Sequence, residues 1–323
     1  MRRFDQRLSS VEFVGLRCGR VKKLLVAESD NTLVALIFMQ PIPILLITLV
    51  AVAALLLLLF TACTKEIREE DLFFPQRTPV MPEESGRIDV EIPIENAQRL
   101  RGWYFYNQQN KSTVIYFYGN GETTLSSHGR SKWIAKNLNV NVLSIDYRGY
   151  GYSDGSPRIN SLLTDAIRVY DAVPDLGSTD QNIIVFGRSI GTAPAIYLTS
   201  QRTVQALILE APFTTISDVI SAWNTQLTGL ASWIVRLKPE KKLATMQPQP
   251  VDLMAEIDVP LLVLHGTTDS IIPMRLGKTI YTVCPSVDKT WCEVTNAGHN
   301  NLTLRHPKAA SALRTFAEKH VQN

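Results

Sequence analysis

The residues best able to do chemistry lie in three short stretches, far apart along the chain. Gly187-Arg188-Ser189-Ile190-Gly191 spells G-x-S-x-G, directly after the apolar run Ile183–Phe186 and ahead of a helical pattern. In that setting the Ser sits on a sharp strand-to-helix turn, and its hydroxyl projects above a sheet. A serine hydroxyl is a weak nucleophile until a base accepts its proton. Five histidines are available. His320 is close to the C-terminus, His306 precedes Pro307 at a helix start, His265 ends a buried strand before Gly266, and His128 is in an early loop. His299, in Asn296-Ala297-Gly298-His299-Asn300, follows the last strand, where a loop can deliver an imidazole to the Ser. The acid that orients the base belongs between Ser and His in this chain order. Asp269 fits, just past Leu261–Leu264; its other use would be a helix N-cap, and Glu210 is the reserve acid.

Ser, His and Asp in these roles do nucleophilic acyl transfer, which also needs donors for the oxyanion. The amide of Ile190, next after the nucleophile, is one candidate. The other is the amide of Asn120 in Tyr118-Gly119-Asn120-Gly121, although those glycines could equally form only a turn.

The elements that must position these groups follow from the hydrophobic pattern. Arg87–Ile94 and Leu100–Tyr106 are expected as an antiparallel strand pair. Further strands are expected at Thr113–Tyr118, Val140–Asp146, Asn182–Phe186, Val204–Leu209, Pro260–Leu264 and Lys289–Val294. Helical patterns at Arg130–Leu138, Ile159–Val173 and Pro307–Glu318 alternate with them. Such alternation predicts an α/β domain over 87–323, with a mostly parallel sheet covered on both faces and its working residues beyond the strands' carboxyl ends. From about 213 to 258 the alternation breaks, which predicts a small helical cap. Trp223 and Trp233 there either line an acyl pocket or pack the cap to the domain.

Several stretches carry a family resemblance. Tyr118–Gly121, Asp146-Tyr147-Arg148-Gly149-Tyr150-Gly151-Tyr152-Ser153-Asp154-Gly155-Ser156-Pro157, Gly187–Gly191, Leu209-Glu210-Ala211-Pro212-Phe213, His265–Asp269 and Ala297–Asn300 are all involved. Together, over about 87–320, they resemble the small α/β-hydrolase-domain serine hydrolases, a group that includes protein depalmitoylases and lysophospholipid or monoacylglycerol lipases. The resemblance implies an α/β-hydrolase fold and a Ser189–Asp269–His299 triad, but no particular substrate. From the triad, hydrolysis of carboxylic esters or thioesters without metal or organic cofactor is expected, and a membrane tether beside an aromatic cap favours small-molecule or acyl-lipid ester substrates. A peptidase or amidase on the same fold is the alternative, and a non-catalytic binding protein the remaining one. Tyr118 stands where the family usually has a loop-supporting His.

Charge divides the chain. Residues 1–62 hold seven Lys/Arg and four Asp/Glu, leaving 26 of each sign in the remainder. The net charge of +3 therefore belongs to the N-terminal segment, and no basic stripe suited to nucleic acid is left. From Leu33 to Ala62 there is no charge at all. A helix over 41–62 would reach about 33 Å, the depth of a bilayer core. Residues 1–63 are thus expected as a basic leader with a signal or anchor segment, 64–86 as a tether, and the domain as membrane-attached on the non-cytoplasmic side. Leu59-Phe60-Thr61-Ala62-Cys63 resembles a bacterial lipobox, with Phe60 where an aliphatic residue is usual, so Cys63 is a candidate lipidation site; an uncleaved anchor is the other reading. In an oxidising compartment Cys284 and Cys292 could pair; otherwise they are two free thiols, one ending a helix and one on a strand. Cys18 falls in the leader, and no spacing reads as a zinc site. Gly149-x-Gly151 lacks the third glycine of a dinucleotide loop, and Arg148 beside it is expected to be structural.

Overall fold

A computed structural model describes residues 42–62, 64–78, 86–106, 110–176, 182–227, 235–302, 304 and 306–321. The leader before Ile42, with Cys18, and also Cys63 and Trp233, lie outside the described residues. The chain divides into two units, 1–57 and 58–323. In the first, helix α1 begins at Ile42 and runs to Ala62 without a charged residue. Side chains are described from Ile44 to Leu57, and no helix among the described residues is long and apolar enough to cross a membrane. The expected membrane span therefore has no support from them.

The second unit is built on an eight-stranded sheet. Its strands are β2 (Ile88–Pro93), β3 (Arg99–Phe105), β4 (Thr113–Phe117), β5 (Asn141–Ile145), β6 (Ile183–Arg188), β7 (Ala206–Glu210), β9 (Leu261–Gly266) and β10 (Lys289–Val294), in the order β10-β9-β7-β6-β4-β5-β3-β2. β2 and β3 are antiparallel to their neighbours and the rest pair in parallel. Every residue of β4, β5, β6, β7 and β9 is buried, as befits strands covered on both faces.

The strand order fixes the layers. Chain direction across the sheet reverses at β5, so right-handed crossovers place helix α2 (His128–Leu138) on one face and α3 (Ile159–Asp171) and α4 (Thr192–Gln201) on the other. Helix α8 (Met274–Val283) crosses between β9 and β10 in the same sense as α4, and the last helix, α9 (Pro307–His320), returns to pack beside α2. The reversal makes β4 and β6 neighbours, the switch point at which ligands are held in open α/β sheets.

The insertion after β7 is only partly helical. It contains α5 (Ile216–Gln226), a strand β8 (Arg236–Pro239), and two short helices, α6 (Lys241–Ala244) and α7 (Pro250–Met254). β8 pairs in parallel with β1 (Thr64–Ile67), inside the segment expected to be a tether. Its described part, 64–78, folds onto the domain. Glu69 and Phe73 are buried in it, and Arg77 bridges to Gly151. The cue was weak, because a four-residue strand with a mixed-charge sequence gains its stability from β8, more than 160 positions away.

Cys284 and Cys292 form no disulfide. The Cys284 thiol ends α8 and donates to the Ile257 carbonyl at 3.3 Å, whereas Cys292 points from β10 to the Lys308 carbonyl of α9 at 3.8 Å. The two thiols face the two opposite helical layers, so eight residues of separation do not bring them together. Burial raises both thiol pKa values.

Candidate active site

Ser189 is held at φ +53°, in the left-handed region that non-glycine residues rarely occupy. Two glycines make that turn feasible. A Cβ on Gly187 would come within 2.5 Å of the Gly191 carbonyl oxygen, and one on Gly191 within 2.3 Å of the Phe117 carbonyl oxygen. The elbow is thus wedged between the end of β4 and the start of α4, at the switch point.

The Ser189 Oγ lies 2.8 Å from His299 Nε2, and His299 Nδ1 lies 2.8 Å from Asp269 Oδ2. Only one tautomer serves both contacts with a neutral ring. Nδ1–H donates to the carboxylate, and Nε2 accepts the serine proton. Asp269 is held by its own loop, its Oδ1 accepting from the amides of Ile271 (2.9 Å) and Ile272 (2.8 Å). The three residues singled out from sequence therefore meet at one end of the sheet.

The other candidates have different employment. His265 is fully buried, its Nε2 2.8 Å from the Ile272 carbonyl, where it supports the Asp269 loop. Burial lowers its pKa, so it is neutral at pH 7. His128 stacks on Phe105, and the His306 ring caps α9 by accepting from the Lys308 amide. His320 lies near Asp288. Glu210 is paired with both Arg130 and Arg188, and so is no orienting acid. Arg148 forms a two-point pair with Asp165 at 2.7 Å for each bond, as a structural residue would.

The loop carrying Asn120 is fixed from below. Tyr118, in the place of the family histidine, donates its hydroxyl to Asp146 Oδ1 at 2.6 Å, and its carbonyl accepts from the Tyr147 hydroxyl at 2.7 Å. The Asn120 backbone N–H donates to no protein group among the described residues. Asn120, Ser189, Ile190 and His299 all face one cavity of about 310 Å³, at the small end of ligand sites. Its walls are mostly apolar, from Leu162 of α3, Phe213, Trp223 of α5 and Met246. Trp223 also donates its indole N–H to the Ile271 carbonyl at 2.9 Å, so it both lines the cavity and ties the cap to the Asp269 loop.

Arg188 was missed by sequence reasoning. Its guanidinium reaches Glu122 at 3.0 Å, Glu210 at 3.1 Å and the His299 carbonyl at 3.0 Å. Glu122 in turn accepts from the Gly119 amide at 2.7 Å. One buried cation therefore links the elbow, the Asn120 loop and the histidine loop. An arginine ending an otherwise apolar strand, with a glutamate ending the next, was the available signal, since buried charges are paired.

The strand order, the elbow and the site geometry define the class: the chain has the α/β-hydrolase fold. Within it, residues 108–251 match the hydrolase family model described as serine aminopeptidase, S33. The α/β-hydrolase domain-containing protein aho-3 of Caenorhabditis elegans is 31% identical over 213 residues, 64% of this chain and 57% of that one. The human α/β-hydrolase domain-containing protein 17C is 29% identical over 217 residues, 66% of this chain and 60% of that one. The chain thus spans about three-fifths of the length of these relatives. An esterase of Pyrococcus furiosus shares the fold with a TM-score of 0.61 at 19% identity, over 78% of this chain and 99% of that one.

Proposed function

We propose that this protein is a serine hydrolase that cleaves carboxylic ester or thioester bonds through an acyl-enzyme. The observation that carries the reading is the unbroken line Ser189 Oγ–His299–Asp269, with 2.8 Å at both links. Ser189 Oγ attacks the acyl carbon as its proton passes to His299 Nε2. The tetrahedral oxyanion is held by the amides of Asn120 and Ile190, and the imidazolium by Asp269. His299 then protonates the leaving alcohol or thiol as its bond to the acyl carbon breaks. A water, deprotonated by the same nitrogen, attacks the acyl-serine; the bond from the acyl carbon to Ser189 Oγ breaks as His299 returns the proton to that oxygen, and the carboxylic acid is released. The apolar cavity walls suit the acyl group.

The matched family model favours a second reading, an aminopeptidase. That activity needs a carboxylate for the substrate's α-ammonium. Asp71 is on the cavity wall, with its Oδ2 accepting from the Arg68 amide at 2.9 Å. Comparing p-nitrophenyl esters of rising chain length with aminoacyl anilides separates the readings. Turnover of esters and not anilides is expected; the reverse would replace the esterase reading.

Membrane attachment is proposed on the sequence, from the uncharged run 33–62 and the Cys63 lipobox resemblance. Labelling cells with a palmitate analogue, with and without Cys63→Ala, tests the lipid. A membrane fraction that loses the protein in both cases would overturn the attachment altogether.

A further inference from the structure

The sequence suggests that the catalytic unit starts at about residue 87. Three contacts argue that it starts earlier. Asn120 Nδ2 donates to the Leu72 carbonyl at 2.6 Å, while its Oδ1 accepts from the Phe74 amide at 3.0 Å and from the buried Tyr150 hydroxyl at 2.7 Å. The carboxamide thus reads residues 72 and 74 as a neighbouring strand would, with one donor and one acceptor. Among short side chains only Asn can do this: Asp lacks the donor and Ala lacks both.

The segment Glu69–Phe74 is itself bolted down. The Glu69 carboxylate is buried, accepting from the Ile159 amide at 2.8 Å and from Lys242 Nζ at 2.7 Å. The Glu69 amide donates to Glu240 at 3.1 Å. Ile159 opens α3, whereas Glu240 and Lys242 belong to the cap. Asp71, Leu72 and Phe74 also line the cavity. The strap therefore touches the cap, a helix of the cavity wall and the oxyanion loop at once.

We propose that the Glu69–Phe74 strap is a positioning element of the active site, fixing the Asn120 backbone N–H towards the oxyanion through the Asn120 side chain. This rests on the serine-hydrolase reading. The backbone donor is retained in Asn120→Ala and Asn120→Asp, so what changes is its aim. Loss of an oxyanion donor costs about 10²–10³ in kcat, and a loosened donor should cost about 10- to 100-fold.

The test uses the full chain and p-nitrophenyl butyrate. Asn120→Ala is expected to lower kcat about 10- to 100-fold with KM changed less than about threefold, and Asn120→Asp to fall similarly. Phe74→Pro removes the amide that donates to both Asn120 Oδ1 and the Tyr150 hydroxyl, each at 3.0 Å, and is compared with Phe74→Ala, which removes only the ring, and with Tyr150→Phe, which removes only the hydroxyl. If both variants act through the same contact, the double variant Asn120→Ala/Phe74→Pro is no worse than the poorer single one. Either side of the contact decides alone if the other variant does not fold by circular dichroism. A folded Asn120→Ala with wild-type kcat, a Phe74→Pro no worse than Phe74→Ala, or multiplying effects would overturn the strap's role while Ser189→Ala still abolishes turnover. An inactive wild type, or an active Ser189→Ala, would overturn the hydrolase reading and the strap's role with it.

Discussion

Removing the hydroxyl of Tyr118 should expose how the buried Asp146 carboxylate is held. Asp146 is buried at 1% exposure, and its carboxylate accepts from the Tyr118 hydroxyl at 2.6 Å, the Thr124 amide at 2.7 Å and the Tyr152 amide at 3.0 Å. Burial raises its pKa, with these three donors opposing the shift. A group whose folded pKa lies above its unfolded one favours the protonated folded form. The ionised carboxylate is therefore a burden on stability that is absent well below pH 3.8 and fully present above the folded pKa. Tyr118→Phe removes one donor to the anion, so it raises the folded pKa further and enlarges that burden at neutral pH. A hydrogen bond to a charged acceptor contributes about 1.5–3 kcal/mol. For a domain of this size that corresponds to a fall of about 3–12 °C in Tm. Urea unfolding followed by tryptophan fluorescence, from pH 8 down to pH 4, reads both terms. The expected outcome is a deficit that is largest at pH 8 and shrinks on acidification. A deficit that grows on acidification, or one below about 0.5 kcal/mol at pH 8, would refute the role given to Asp146.

Three further outcomes follow from the same geometry. Asp269→Asn keeps the shape but turns the imidazole to the wrong tautomer, so kcat on esters should fall about 10⁴-fold with little change in Tm; a loss below tenfold would remove Asp269 from the site. Arg188→Met leaves Glu122 and the His299 carbonyl without their cation while Arg130 still holds Glu210, and denaturation should show a loss of about 3 kcal/mol. A stability equal to wild type would mean the cation is dispensable. Thiol titration of the urea-unfolded protein, without reductant, should count Cys284 and Cys292 as free; a mass lower by two hydrogen atoms, with a peptide joining them, would contradict their separation across the sheet.

Much of the fold was legible because its signals are local. β4, β6, β7 and β9 are apolar runs that terminate in turn residues, and the G-x-S-x-G turn declares its own neighbours. Ser189, Asp269 and His299 could be selected by elimination, since each follows a strand at the same end of a parallel sheet. The strap and the strand before it were not legible, because Thr64–Ile67 pairs with Arg236–Pro239 and Glu69 finds its partners in Lys242 and Ile159, far along the chain. Arg188 was hidden for a similar reason. Its identity shows in the motif, but its partners at 122, 210 and 299 converge only after the sheet is assembled. Spacing and compartment both allow a Cys284–Cys292 pair, and neither tells which helical layer a side chain faces.

The central claim is that Ser189 is activated as a nucleophile by His299. Treating the folded protein with a fluorophosphonate probe and mapping the adduct by peptide mass spectrometry tests it most directly. One adduct per chain on Ser189 is predicted, absent in Ser189→Ala and slowed at least about 100-fold in His299→Ala. A folded wild type that takes up no probe, or an adduct that persists in Ser189→Ala, would contradict it.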